Sequence, residues 1–204
     1  TTPERYYKSL EFLETLSKQM FAVKMEELMA QEAFLKSRES EAQMEAELHR
    51  NEAMTAIVKM LESENSFEEI AADILRNVCE YLEISDGALL QEGKSGEVVE
   101  CICSYVSQRE ESEQAQWQQL EKSEVPFFNG KPYMISANSM MPEDFQRFFT
   151  REQIRAGIFL PVDVNGHASM YLCFFEQNKE RIWDVADIKF VTDVKRIVQS
   201  ILVQ

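Results

Sequence analysis

Residues 154–176 read IRAGIFLPVDVNGHASMYLCFFE, two apolar runs on either side of Asn165-Gly166. Asn-Gly accepts positive φ at both central positions of a two-residue turn, so the stretch predicts a β-hairpin with arms at 158–164 and 169–175. Toward the C-terminus, Asp184 is a candidate N-cap for a segment in which Ile188, Val191, Val194, Val198, Ile201 and Leu202 form a broad apolar stripe. That segment predicts a helix running to Gln204. In the other direction, 133–136 reads as a short strand, and Pro142 suits the first turn of a helix carrying Phe145, Phe148 and Phe149 on one face. Two more strand-like runs, 88–91 and 98–106, flank a turn at Gly93 to Gly96. Strict alternation in the second run puts Val99, Cys101, Cys103 and Tyr105 on a common face. Residues 110–123 are rich in Glu and Gln around Trp117 and Leu120, and read as a surface helix.

Ser66 followed by Glu69 has the spacing of a capping box, ahead of Phe67, Ile70, Ala71, Ile74, Leu75, Val78 and Leu82 at helical intervals. Upstream of it the punctuation disappears: residues 4–86 hold no glycine or proline, and all six glycines lie from Gly87 onward. From Pro3 to about Leu48 the chain is rich in strong helix formers. With Leu13 at heptad position a, Leu13, Met20, Phe34 and Leu48 fall at a, and Leu16, Val23, Ala30 and Met44 at d. Glu27, Ser37, Glu41 and Asn51 interrupt that seam, three of them between 37 and 51, where a bend or hinge is expected. Met54, Ile57, Val58 and Leu61 resume the period, as expected of a separate short helix. The expected division is a helical arm over 1–63 and a mixed domain over 64–204. Helix, strand pair, strand, helix, hairpin and helix, in that order, predict an α+β fold: an antiparallel sheet with terminal helices packed on one face, extended by a long N-terminal helix.

Composition narrows the functional classes. The formal charge is −15, from 36 acidic and 21 basic residues. Such a chain repels nucleic acid and anionic membrane. No stretch has the apolar length of a membrane span. The start at Thr-Thr-Pro suggests a piece of a longer protein. Cys79, Cys101, Cys103 and Cys173 form no C-x2-C pair and sit in predicted helix or strand interiors, which suits reduced, buried thiols in a cytoplasmic protein.

Several of these segments together resemble a GAF domain. The resemblance rests on Gly130 to Pro132 before a strand, Leu160-Pro161-Val162, the Asn165-Gly166 turn, the returning strand Tyr171 to Phe175, and Trp183 to Asp187 at the entry to the last helix. It covers about 65–204. One departure is Ala168-Ser169-Met170, where such domains usually begin the returning strand with glycine. The arm resembles the signalling helices that precede these domains in bacterial sensor kinases and diguanylate cyclases. The resemblance implies a non-catalytic sensory domain of a multidomain protein, with a ligand cavity between the sheet and its crossover loops. In this chain that cavity would be lined by Cys103, Tyr105, Phe127, Phe128 and Tyr133, with Phe145, Phe149, Phe159 and Tyr171. The same rings suit a filled core equally well.

Specialised members of the family leave marks that are missing here. The closest string to the cyclic-GMP motif, 177–180, lacks the Phe-Asp-Glu continuation, and neither Cys101 nor Cys103 has a neighbouring histidine for bilin attachment. His167 is a turn residue unsuited to haem, and 107–150 holds no cysteine of the sulfoxide-reductase type. No cofactor, metal or catalytic residue is therefore assigned. The expected partners are a second copy of the chain, through the arm and the C-terminal helix, a small-molecule ligand and a downstream output domain. The alternatives are a ligand-free dimerisation module and a thiol-redox enzyme using Cys101 or Cys103.

Overall fold

The computed structural model describes residues 2–107, 117–164 and 166–202. They fall into two units, residues 1–49 and Arg50 to the C-terminus. From Pro3 onward the first is part of helix α1 (Pro3–Met60). Its side chains are exposed, with intrahelical pairs such as Glu14–Lys18 at 2.6 Å on its surface. Such exposed pairs contribute about 0.3–0.5 kcal/mol each. The expected break at 37–51 is not found, because α1 is helical throughout. Polar residues at a and d weaken packing against a partner, but they leave the backbone's i to i−4 hydrogen bonds intact, and no glycine or proline intervenes. For the same reason 54–61 is no separate helix. Residues 54–60 form the last turns of α1, Leu61 follows its end, and Ala53 and Ile57 are buried in the core of the second unit.

Helix α2 (Phe67–Leu82) opens with the expected capping box. Glu69 N donates to Ser66 Oγ at 3.3 Å, and Ser66 N donates to Glu69 Oε2 at 2.9 Å. It ends on Glu83, a left-handed residue with φ 53°, a conformation that an L side chain disfavours. There follow β1 (Asp86–Glu92), β2 (Val98–Val106), β3 (Gln119–Glu121), β4 (Tyr133–Ile135), α3 (Glu143–Arg151), β5 (Ala156–Val164), β6 (His167–Glu176) and α4 (Val185–Leu202). The strands make one six-stranded sheet in the order β3-β2-β1-β6-β5-β4, antiparallel throughout. The hairpin of β5 and β6 pairs Val164 with His167 across its turn, where Gly166 has φ 84°. Asn165 lies outside the described residues, as do 110–116 of the expected surface helix and Gln204 of the expected last helix. The remainder of that surface segment is strand β3 and a 3₁₀ turn at Lys122–Glu124.

Both faces of the sheet are covered. On one, α2, α4 and the last turns of α1 pack over Leu89, Ile158, Leu160, Leu172 and Phe174. Asp184 caps α4 as expected, its Oδ1 accepting from Asp187 N at 2.7 Å. On the other face Ala88, Leu90, Phe159, Tyr171, Cys173 and Phe175 meet the rings of α3 and the 125–128 segment. Burial on both sides is why β1, β5 and β6 read as nearly continuous apolar runs.

Candidate functional site

The second face is an aromatic chamber, and its geometry follows from three placements. Sheet alternation aims Phe159, Tyr171 and Phe175 to the same side. The short helix α3 turns Phe148 and Phe149 down onto them, with Phe145 at the rim. Phe127 enters from the loop before β4 and is fully buried. Its ring centroid lies 4.3 Å from that of Phe159, 5.6 Å from Phe148, 5.7 Å from Tyr171 and 6.3 Å from Phe149. Phe128 lies 4.7 Å from Tyr171, and Tyr133 lies 4.3 Å from Phe145. These separations are those of packed rings in direct contact. Polar handles point outward: Tyr171 Oη donates to Lys131 O at 2.9 Å and so fixes the turn at Gly130, where φ is 82°. Burial raises the Tyr171 phenol above its ordinary range, and burial with nearby Asp144 does the same to Tyr133. Both rings stay neutral near pH 7.

One wall is formed by Trp117. Its indole stacks on Phe175 at 4.8 Å and lies 6.0 Å from Phe148, and Nε1 donates to Glu152 Oε2 at 2.8 Å. The other Glu152 oxygen accepts from Arg151 Nε at 2.7 Å. In the helix-face core, Trp183 at the entry to α4 donates from Nε1 to Ile135 O at 2.9 Å, tying α4 to β4. Arg181 lies over the Trp183 ring at 4.7 Å, donates to Leu82 O at the end of α2, and pairs with Asp187 of α4 at 3.1 Å.

No protein-family model matches this chain, and no curated protein matches it by sequence. Solved structures do. The phycocyanobilin-bound GAF domain from a cyanobacterial phytochrome is similar with a TM-score of 0.63 at 7% identity, over 74% of this chain and 92% of that one. The fold is a GAF fold. The GAF domain from Acinetobacter phosphoenolpyruvate-protein phosphotransferase is similar at 0.59 with 12% identity, over 75% of this chain and 92% of that one. The blue-light absorbing form of the Thermosynechococcus elongatus PixJ GAF domain follows at 0.51 with 13% identity, over 66% and 86%. At these identities the likeness is one of architecture.

Within this GAF fold the sheet gathers seven of the nine expected cavity residues: Phe127, Phe128, Tyr133, Phe145, Phe149, Phe159 and Tyr171. Cys103 and Tyr105 are not among them. Leu89 stands opposite Cys103 while Leu90 stands opposite Cys101, so β2 carries one extra residue, Ile102. This bulge reverses the alternation. Val99 and Cys101 face the chamber, whereas Cys103 and Tyr105 face the helices, where Tyr105 lines a polar hollow with Cys79, Glu83 and Glu176. The expectation of a common face for 99–105 is thereby corrected. Two thiols on opposite faces also make no joint metal or redox site. Burial raises Cys101 to about 11 and Cys103 to about 12, which leaves little thiolate for chemistry at neutral pH. The His167 side chain lies outside the described residues.

Phe148, which the sequence places among the aromatic residues of the cavity region, is a chamber residue. Sequence reading misses Trp117, Phe175 and Glu152, of which Phe175 is legible from strand periodicity. For Trp117 the one available signal was a large ring stranded in a Glu- and Gln-rich stretch, because a fully solvated tryptophan is unusual.

Proposed function

We propose that this chain is a non-catalytic relay module of a bacterial cytoplasmic signalling protein. Two copies pair in parallel through α1 and α4, and the packing of those helices biases an output domain of the histidine kinase or diguanylate cyclase type. The observation that carries this reading is the α1 seam: Leu13, Leu16, Met20, Val23, Phe34, Met44 and Leu48 are each 40% to 68% exposed. Large apolar side chains at heptad spacing on one stripe gain their burial from a second helix. In α4, Ile197, Ile201 and Leu202 remain half-buried and extend the apolar surface offered to a partner. Among the described residues no helix is long and apolar enough to cross a membrane.

The chamber supports a sensory role whose resting state is closed. Its rings occupy the space a ligand would take, so a small molecule enters by displacing protein and not by filling a void. The link to the relay is the Arg181–Trp183 joint, which fastens the chamber's edge strand β4 to both α2 and α4. Light scattering on Met20→Glu and Met25→Glu tests the pairing. Met20 lies on the seam and Met25 lies off it, so the first variant is expected to be monomeric and the second dimeric at micromolar concentration. A wild-type monomer, or equal behaviour of the two variants, overturns the reading.

A further inference from the structure

Trp117 differs from the other chamber rings in how it is held. Phe159, Tyr171 and Phe175 stand on central strands, and Phe148 and Phe149 on a helix. Trp117 precedes β3, the outermost strand, which is three residues long and pairs through Glu121–Val98, Leu120–Val99 and Gln119–Glu100, with one further backbone bond at each end, Cys101 N to Gln118 O at 3.2 Å and Lys122 N to Glu97 O at 2.8 Å. A strand this short at a sheet edge opens at low free-energy cost compared with the centre. The slot the indole occupies does not depend on it. Phe175 supplies a stacked apolar wall, its plane 24° from that of the indole, and Phe148 a tilted one at 47°. Glu152, buried at 8% exposure, ends the slot and is anchored without Trp117: Arg151 Nε donates to its other oxygen, and Gln177 Nε2 donates to its carbonyl at 2.8 Å.

The slot's chemistry is written in its present occupant. An apolar filler would need no acceptor, yet a buried carboxylate oxygen is aimed at the indole N–H at 2.8 Å. If the indole leaves, that oxygen is left bare in an apolar cleft, and a guest with a ring N–H is favoured over one without it by on the order of tenfold or more. We propose that Trp117 is a built-in plug of a ligand slot, displaced by a planar aromatic molecule carrying a ring N–H, of the indole class. The slot accepts the guest's ring between Phe175 and Phe148 and its N–H on Glu152 Oε2. Release of Trp117 frees β3 from the chamber wall. The proposal takes the relay reading as its setting, but the two fail separately: scattering reports the pairing, and ligand titration reports the slot.

The test uses the full chain labelled with 5-fluorotryptophan, which gives fluorine resonances for Trp117 and Trp183, the chain's two tryptophans. Trp117→Phe or Trp183→Phe assigns them, whichever folds. Addition of indole is expected to shift the Trp117 resonance toward that of a solvated tryptophan while leaving Trp183 in place. 1-Methylindole, which lacks the N–H, is expected to require at least tenfold higher concentration. Calorimetry on Trp117→Gly provides the second arm, with indole binding more tightly than to wild type because the plug is gone. A Trp117 resonance unmoved by millimolar indole overturns the proposal, and so does equal binding of indole and 1-methylindole.

Discussion

Truncating Phe127 to alanine tests whether the aromatic chamber is a packed core. The Phe127 ring is fully buried and touches Phe148, Phe149, Phe159 and Tyr171 at centroid distances of 5.6, 6.3, 4.3 and 5.7 Å. Removing a ring from such a site costs about 3–5 kcal/mol, comprising the transfer free energy and the cavity left behind. Lost ring-to-ring geometry is worth about 0.5–1.5 kcal/mol of this per pair. For a domain of this size the melting temperature should fall by roughly 6–20 °C. Tryptophan fluorescence in urea is a suitable assay, because both tryptophans, Trp117 and Trp183, belong to the second unit and none lies in residues 1–49. The signal therefore reports the GAF fold without the exposed arm. A midpoint shift at unchanged slope is expected. A loss below about 1.5 kcal/mol would refute the reasoning, since it is what a ring beside an open, hydrated cavity would give.

Three further outcomes follow, two from single substitutions and one from a change of pH. A Cβ on Gly157 would stand 2.6 Å from the Phe159 ring and 3.2 Å from Phe175 Cβ, so Gly157→Ala should destabilise by about 1–3 kcal/mol in the same denaturation assay; a neutral result would contradict the close approach. Glu83 ends α2 at φ 53°, so Glu83→Gly should stabilise by up to about 1 kcal/mol, and a loss of stability would show that its side chain matters more than its backbone. Cys101 and Cys103 titrate near 11 and 12 in the fold against an ordinary 9.0, so the folded state holds those protons more tightly. That contribution is full below about pH 9 and declines as pH rises through the folded values. The urea midpoint should fall between pH 8 and pH 10.5, whereas a rise over that interval would contradict burial of the two thiols.

What the sequence revealed depended on the range of the forces involved. The Ser66–Glu69 box, the Asp184 cap and the β5–β6 hairpin rest on chemistry within a few residues, and each lies where it was expected. The β2 bulge left no such mark. VVECICSYV alternates as well as any strand, and only the pairing of Leu89 with Cys103 and Leu90 with Cys101 shows the extra residue that turns Cys103 and Tyr105 to the helices. Trp117 was misplaced for a related reason. Its neighbours are polar, and its burial is set by Phe175 and Glu152, which are distant in sequence. The expected hinge confused two periodicities: Ser37, Glu41 and Asn51 weaken a heptad seam, but helix continuity requires only residues that tolerate helical φ and ψ.

The pairing of two α1 seams is the claim on which the relay depends, and cross-linking tests it directly. Met20 occupies a seam position and is exposed in the single chain, whereas Lys18 lies off the seam. The native cysteines are a quiet background, since Cys79 and Cys173 are buried and Cys101 and Cys103 hold their protons. Under mild oxidation Met20→Cys should give a disulfide-linked species of twice the 23.7 kDa chain on a non-reducing gel, and Lys18→Cys should remain single. No cross-link at position 20, or equal cross-linking at both positions, would contradict the account.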